Sequence, residues 1–223
     1  MKKYQVESVE LIVERAGLAE YLTEEILPKY EVEDLGHDIN HVYEVLRSAY
    51  AINDLLEQKV DNDMLTTAVF YHDLGLFCGG RDGHDKRSAE IVRNDQRLKE
   101  FFSEREIDEI ATACLEHRSS YKGKRNSLIS KIVTDADTMD SINYPRIIAY
   151  YRGINPNAMQ AEILNEMWKH YHKKQSKQTG YAKYDLPEAE EMMRETRELL
   201  WELLEDRPKF DQYMLAHYGE YLD

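Results

Sequence analysis

Residues 68–75 read AVFYHDLG. Apolar side chains run up to an adjacent histidine and aspartate, and a glycine follows two residues later. The surrounding pattern predicts a helix over about 62–75, with His72 in register with Leu65, Val69 and Leu76. An inward helical stripe therefore carries an imidazole. On an ideal helix His72 and Asp73 point about 100° apart, so both reach one ion only if it lies at the helix end. Gly75 is expected to provide that end as a left-handed C-terminal residue.

Two other stretches have the same character. In GHDINHVYEVLRSA (36–49), His41 is in register with Val45, Ser48, Ile52 and Leu55. In KIVTDADTMDSI (131–142), Asp137 follows Ile129 and Val133 at intervals of four, whereas Asp135 lies on another stripe with Leu128, Ile132 and Met139. A lone inward histidine is usually a hydrogen-bonded core residue. His41, His72-Asp73 and Asp137, each on its own helix, are hard to explain as independent accidents. An ionised carboxylate in an aliphatic core is costly, and a divalent cation would offset that cost for Asp73 and Asp137 together. Imidazole and carboxylate donors suit Mn, Fe, Zn or similar ions, and the lack of thiolates disfavours a structural zinc.

The rest of the 223 residues reads as helix after helix. Gly (10) and Pro (5) are scarce, good helix formers dominate, and we find no β-branched run with strict alternation. Helices are expected over about 6–22, 38–58, 62–75, 84–95, 105–118, 126–150, 156–176, 186–205 and 208–220. The 186–205 helix is expected to start on Asp185 as N-cap, with Pro187 in its first turn and Glu188 three residues on. No linker cuts the chain, so the expectation is one all-α domain over 1–223. It would have a core at about 30–150 and a C-terminal helical extension at about 151–223.

Composition excludes several classes. The 29 basic and 43 acidic residues give a net charge of −14, which argues against duplex nucleic acid. No apolar run spans a membrane, and acidic residues interrupt the N-terminal segment before a signal-peptide core forms. Cys78 and Cys114 are too few for a disulfide scaffold. The expected location is the cytoplasm.

These stretches, together with GHDKRSAEIV (83–92), resemble the HD-domain metal-dependent phosphohydrolases over about residues 30–145. The family's metal signature is His…His-Asp…Asp with helical spacers. The resemblance implies an all-α HD-like helical bundle with His41, His72, Asp73 and Asp137 as ligands of a divalent metal ion (Mn, Fe, Mg, Co or Zn). Asp137 is preferred over Asp135 on the family's ADxxD-like segment. In dinuclear relatives, histidines placed like His84 and His117 bind a second ion, and Asp73 would then bridge the two. The competing reading makes His84 a helix cap and sets His117 against a C-terminal dipole. Many relatives carry Arg where this chain has Glu44, a departure that bears on the substrate more than on the metal.

The expected activity is hydrolysis of a phosphate ester or anhydride by a metal-activated water. The partner is a small phosphorylated substrate, a nucleotide among the candidates, and self-association into a homo-oligomer stays open. Basic side chains beside the motif, Lys86, Arg87, Arg118 and Lys122, are candidates to neutralise substrate oxygens. Arg81 also flanks His84. Asp73 and Lys86 are the candidate catalytic residues, with Asp140 a second candidate for the acid. The basic run over 169–184, which includes Lys174, reads as a surface loop more than a lid. Three rivals remain: a dinuclear-iron HD-type oxygenase, a non-catalytic nucleotide-sensing HD module, and an interaction protein with incidental ligands.

Overall fold

A computed structural model describes residues 4–31, 36–175 and 183–222. Among these the chain is all-α, with no strand. Nine helices carry the architecture: α1 (Ile39–Leu55), α2 (Asn62–Tyr71), α3 (His84–Asn94), α4 (Glu104–Glu116), α5 (Leu128–Asp140), α6 (Tyr144–Ile154), α7 (Gln160–Gln175), α8 (Pro187–Leu204) and α9 (Arg207–Leu222). Leu18–Tyr30 forms shorter helical turns ahead of them.

Local signals start the main helices. The Asp38 carboxylate accepts from the backbone N–H groups of Asn40 and His41 and fixes the first turn of α1; such a cap is worth about 1 kcal/mol. Asp61 caps α2, Ser127 caps α5, and Ser103 with Glu106 forms a capping box on α4. α1 packs on α5 and α3 on α4, while α2 is buried at nearly every position.

The apolar interior divides into two clusters. The first runs from Leu18 to Met139 and takes in Leu186 and Ala189 at the start of α8. The second begins at Ile142 and is built from α6, α7, the rest of α8 and α9. Met193 packs against both. The helices after α5 thus carry an apolar cluster of their own, whose first member is Ile142.

Five sequence expectations are corrected. The N-terminal helix over 6–22 is absent before Leu18. Residues 4–14 instead lie along α1 and α2, with backbone N–H groups donating to Asn40, Tyr50 and Asp63. Val9, Leu11 and Val13 pack on the core while Glu10, Ile12 and Glu14 face out. This is a period of two, the alternation that the composition had concealed. The helix expected over 126–150 breaks at Asp140–Asn143, where Asn143 caps α6 and Pro145 opens it. Asp185 does not cap α8. Leu186 sits at the cap position, and the Asp185 carboxylate pairs with Arg125 at 3.1 Å. Leu55, assigned to the inward stripe of α1, is 57% exposed, because α1 ends there and clears the core.

Gly75 is the fifth. Its φ is not positive; among the described residues only Gly17, Gly80 and Gly83 have positive φ. Gly75 lies in a short 3₁₀ turn, Leu74–Leu76, pressed against α3. A Cβ there would meet the His84 carbonyl oxygen at 2.1 Å and the Ser88 nitrogen at 2.7 Å. Both are backbone atoms that cannot swing away, so the missing side chain is what lets α3 approach. Gly75→Ala is expected to destabilise the fold by about 2–3 kcal/mol or more through overpacking, read as the urea unfolding midpoint. An unchanged midpoint would contradict this account of the α3 contact.

Candidate metal centre

Five helices bring their ends to one place. His41 is in the first turn of α1, His72 and Asp73 lie just past the end of α2, His84 opens α3, His117 closes α4, and Asp137 is in the last turn of α5. α2 stops at Tyr71, so Asp73 leaves helical geometry (φ −109°, ψ 2°), and both side chains can turn to one point. Gly83, at φ 69°, takes the left-handed turn that starts α3 on His84. His41, His72, Asp73, His84 and His117 are all buried.

The Asp73 carboxylate is the hub. Its Oδ2 lies 3.4 Å from the Nε2 atoms of both His41 and His72. Its Oδ1 lies 3.2 Å from His84 Nε2 and 3.4 Å from His117 Nε2. Asp137 Oδ1 is 3.5 Å from His41 Nε2 and joins the first group. Two sets of donors able to hold a metal ion therefore share Asp73: His41–His72–Asp73 and Asp73–His84–His117.

The opposite side of each ring is already committed. Nδ1 of His72 donates to the Val69 carbonyl (2.6 Å), that of His84 to Arg81 (2.8 Å), and that of His117 to Cys114 (2.7 Å). His41 Nδ1 donates to the Asp140 carboxylate at 2.7 Å. A carbonyl only accepts, so Nδ1 carries the proton and the neutral ring presents a bare Nε2 lone pair inward. Those lone pairs oppose each other at 3.2 Å, His41 against His72 and His84 against His117. Two bare nitrogens at that distance repel unless a cation lies between them or one ring takes a proton. The donor set fits divalent ions on these grounds, and its nitrogen and oxygen chemistry suits Mn, Fe or Zn.

Without a metal, protons serve in its place. For His41, burial and Arg146 act downward but Asp140 and Asp73 outweigh them, and its pKa rises to about 9. His117 also rises, with burial opposed by Asp73. Asp73 falls well below the usual carboxylate range: burial opposes this, but the surrounding imidazoles prevail.

The structure separates the sequence candidates. Asp137 joins the cluster. Asp135 points the other way and accepts the backbone N–H groups of Asp185 (2.8 Å) and Leu186 (2.9 Å), fastening the start of α8. Asp140 is no candidate acid, because it is buried behind His41, pairs with Arg146 at 3.1 Å, and is held below its ordinary pKa by Arg146 and His41 against burial. Arg87 is corrected as a substrate residue. Its guanidinium donates to the carbonyls of Gly75, Gly80 and Asp82 and staples the loop before α3. Lys86 and Lys122 are exposed and do not line the cavity above the cluster. Arg118 does line it, 3.6 Å from Asp85. Glu44 lies outside it and pairs with Arg47.

That cavity measures about 670 Å³ and opens onto Asp73, Asp137, His84 and His117. Its far wall comes from the extension: Tyr150 and Tyr151 on α6, and His170, Lys174 and Gln175 on α7. Lys174 was grouped with a surface run, and the other four were unremarked. For His170 and Lys174 the signal is the helical period of α7, which sets both on one face.

Residues 38–142 match the model of the HD domain family, an all-α fold whose members are typically metal-dependent hydrolases. Searches among curated proteins and among solved structures found no match. Among the described residues no helix is long and apolar enough to cross a membrane.

Asp137→Asn is expected to weaken metal affinity by about tenfold or more, whereas Asp135→Asn is expected to keep it within about twofold; equal losses would contradict the assignment. Burial also pushes the Asp135 pKa up to about 7, against two backbone N–H donors. The folded state then binds this proton more tightly than the unfolded chain, so this group's contribution to stability declines as pH rises through that value. Asp135→Asn, permanently neutral, is expected to gain on the wild type in urea midpoint between pH 5 and pH 8. A constant difference would contradict the shift.

Proposed function

We propose that the protein is a metal-dependent phosphohydrolase that uses two divalent ions on one bridging carboxylate to cleave a phosphate ester or anhydride of a small anionic substrate. The observation that carries this reading is the division of Asp73: one oxygen faces His41 and His72, and the other faces His84 and His117. His41, His72, Asp73 and Asp137 would hold one ion, and Asp73, His84 and His117 the other. Bound there, such ions polarise a phosphoryl oxygen and bring a coordinated water toward neutral pKa.

The chain's own residues prepare the site. The four Nδ1 hydrogen bonds lock tautomer and ring orientation before a ligand arrives. Arg146, buried and paired with Asp140, holds the carboxylate that orients His41. Arg118 reaches the cavity beside His117 and supplies a donor for non-bridging phosphoryl oxygens, where charge grows during transfer. The aliphatic core beneath the cluster closes the side of the donor atoms that faces away from the cavity. The intact donor set favours an enzyme over a nucleotide-sensing module.

The test is phosphate release from nucleotides and sugar phosphates with Mn, Mg, Co and Fe supplied in turn, with oxygen uptake followed in parallel. The expected result is metal-dependent phosphate release that falls by at least about 10³-fold in His72→Ala and Asp73→Ala. Oxygen consumption without phosphate release would replace this reading with the dinuclear-iron oxygenase, which the same donors could serve. Full activity in either variant would overturn the site.

A further inference from the structure

The cavity holds more positive charge than its ligands require. Asp73 and Asp137 are the only carboxylates lining it among the described residues, and the proposed ions claim both. Of the cations there, Arg146 is neutralised by Asp140 and Arg118 faces Asp85. Arg81 and Lys174 have no carboxylate partner. Arg81 donates to His37 Nε2 at 2.9 Å, and Lys174 makes no hydrogen bond or ion pair among the described residues, with Asp137 acting on it only from farther away. In a chain with 43 acidic side chains, two cations that line one cavity with no ion-paired acid mark a place for an external anion.

The two come from different parts of the fold. Arg81 precedes α3, and its carbonyl accepts from His84 Nδ1, so its backbone is tied to the second donor set. Lys174 is in the last turn of α7, outside the HD stretch. They sense each other: burial and then Arg81 hold the Lys174 ammonium below its ordinary pKa, against the opposing pull of Asp137. His170, on the same face of α7, is pushed down to about 4 by burial and then by Lys174, Arg146 and Arg81. It therefore stays neutral and adds no further positive charge to this part of the cavity.

We infer that Arg81 and Lys174 form a second anion subsite, so that the substrate carries two phosphoryl groups, one at the Asp73 centre and one held between these cations. This rests on the hydrolase reading for the first position only. A cavity of about 670 Å³ has room for a ligand the size of a nucleotide. Lys174 makes the extension a determinant of specificity. The two phosphoryl groups can belong to an anhydride or sit apart on one sugar, and matched probes separate these.

The experiment is calorimetric titration with Mg(II) in excess, using AMP against ADP and glucose 6-phosphate against glucose 1,6-bisphosphate. Lys174→Ala and Arg81→Ala are compared with Lys169→Ala, an exposed partner of Glu166 on the same helix. Wild type is expected to favour at least one two-phosphoryl ligand over its one-phosphoryl match by about tenfold or more. That ratio should fall to about twofold in Lys174→Ala and Arg81→Ala, survive in Lys169→Ala, and return in part in Lys174→Arg. Preference for ADP identifies an anhydride, and preference for the bisphosphate identifies separated groups. Equal affinity for both members of each pair, or a ratio that survives both alanine variants, would overturn the subsite. Turnover is read separately: the binding pattern without phosphate release counts against the hydrolase reading and for the subsite, and phosphate release without the pattern does the reverse.

Discussion

Two pairs of imidazole nitrogens face each other across one buried carboxylate, and in each neutral ring a hydrogen bond on the far side holds the proton on Nδ1. That opposition is the constraint on which the rest of the structure depends. Bare lone pairs at 3.2 Å are unstable company, and desolvation denies them water as a remedy. A positive charge must enter, as protons or as metal. The elevated pKa values of His41 and His117 are the proton answer, and ions between the pairs are the metal one.

The fold can be read as the apparatus that maintains this opposition. Five helix ends must meet within a few ångströms, and three of them are fixed by local features: α1 by the Asp38 cap behind His41, α2 by its early stop at Tyr71, and α3 by the left turn at Gly83 and the close approach allowed by Gly75. Helices of the first core supply all the donor atoms. Helices of the second core supply the opposite cavity wall. The seam between them, held by Asp135 on the start of α8 and by Met193 in both cores, sets the wall relative to the donors. The donor atoms and the wall that faces them thus come from different parts of the chain.

Much of the donor set was legible in the sequence, for a physical reason. His41, His72 and Asp137 interrupt aliphatic stripes at helical spacing, and a polar group on such a stripe must meet a partner. What spacing does not contain is the reach of long side chains. Arg87 and Lys86 are neighbours of His84 in sequence, yet one guanidinium turns back onto a loop and the other ammonium points to solvent. Arg81 was noted only as a flanking charge, and Lys174 only as part of a basic run. That both line one cavity, neither in an ion pair with a carboxylate, is visible only in three dimensions. The N-terminal segment was misread because glutamates favour helices while Val9, Leu11 and Val13 alternate. Gly75 was read for its backbone freedom when its value lies in having no side chain.

Metal stoichiometry by elemental analysis, on protein reconstituted under anaerobic conditions and stripped of loosely held ions, bears most directly on the central claim. The account predicts two ions per chain in the wild type, one in His84→Ala and in His117→Ala, and none in Asp73→Ala. A single ion that persists undiminished when both His84 and His117 are replaced would contradict it.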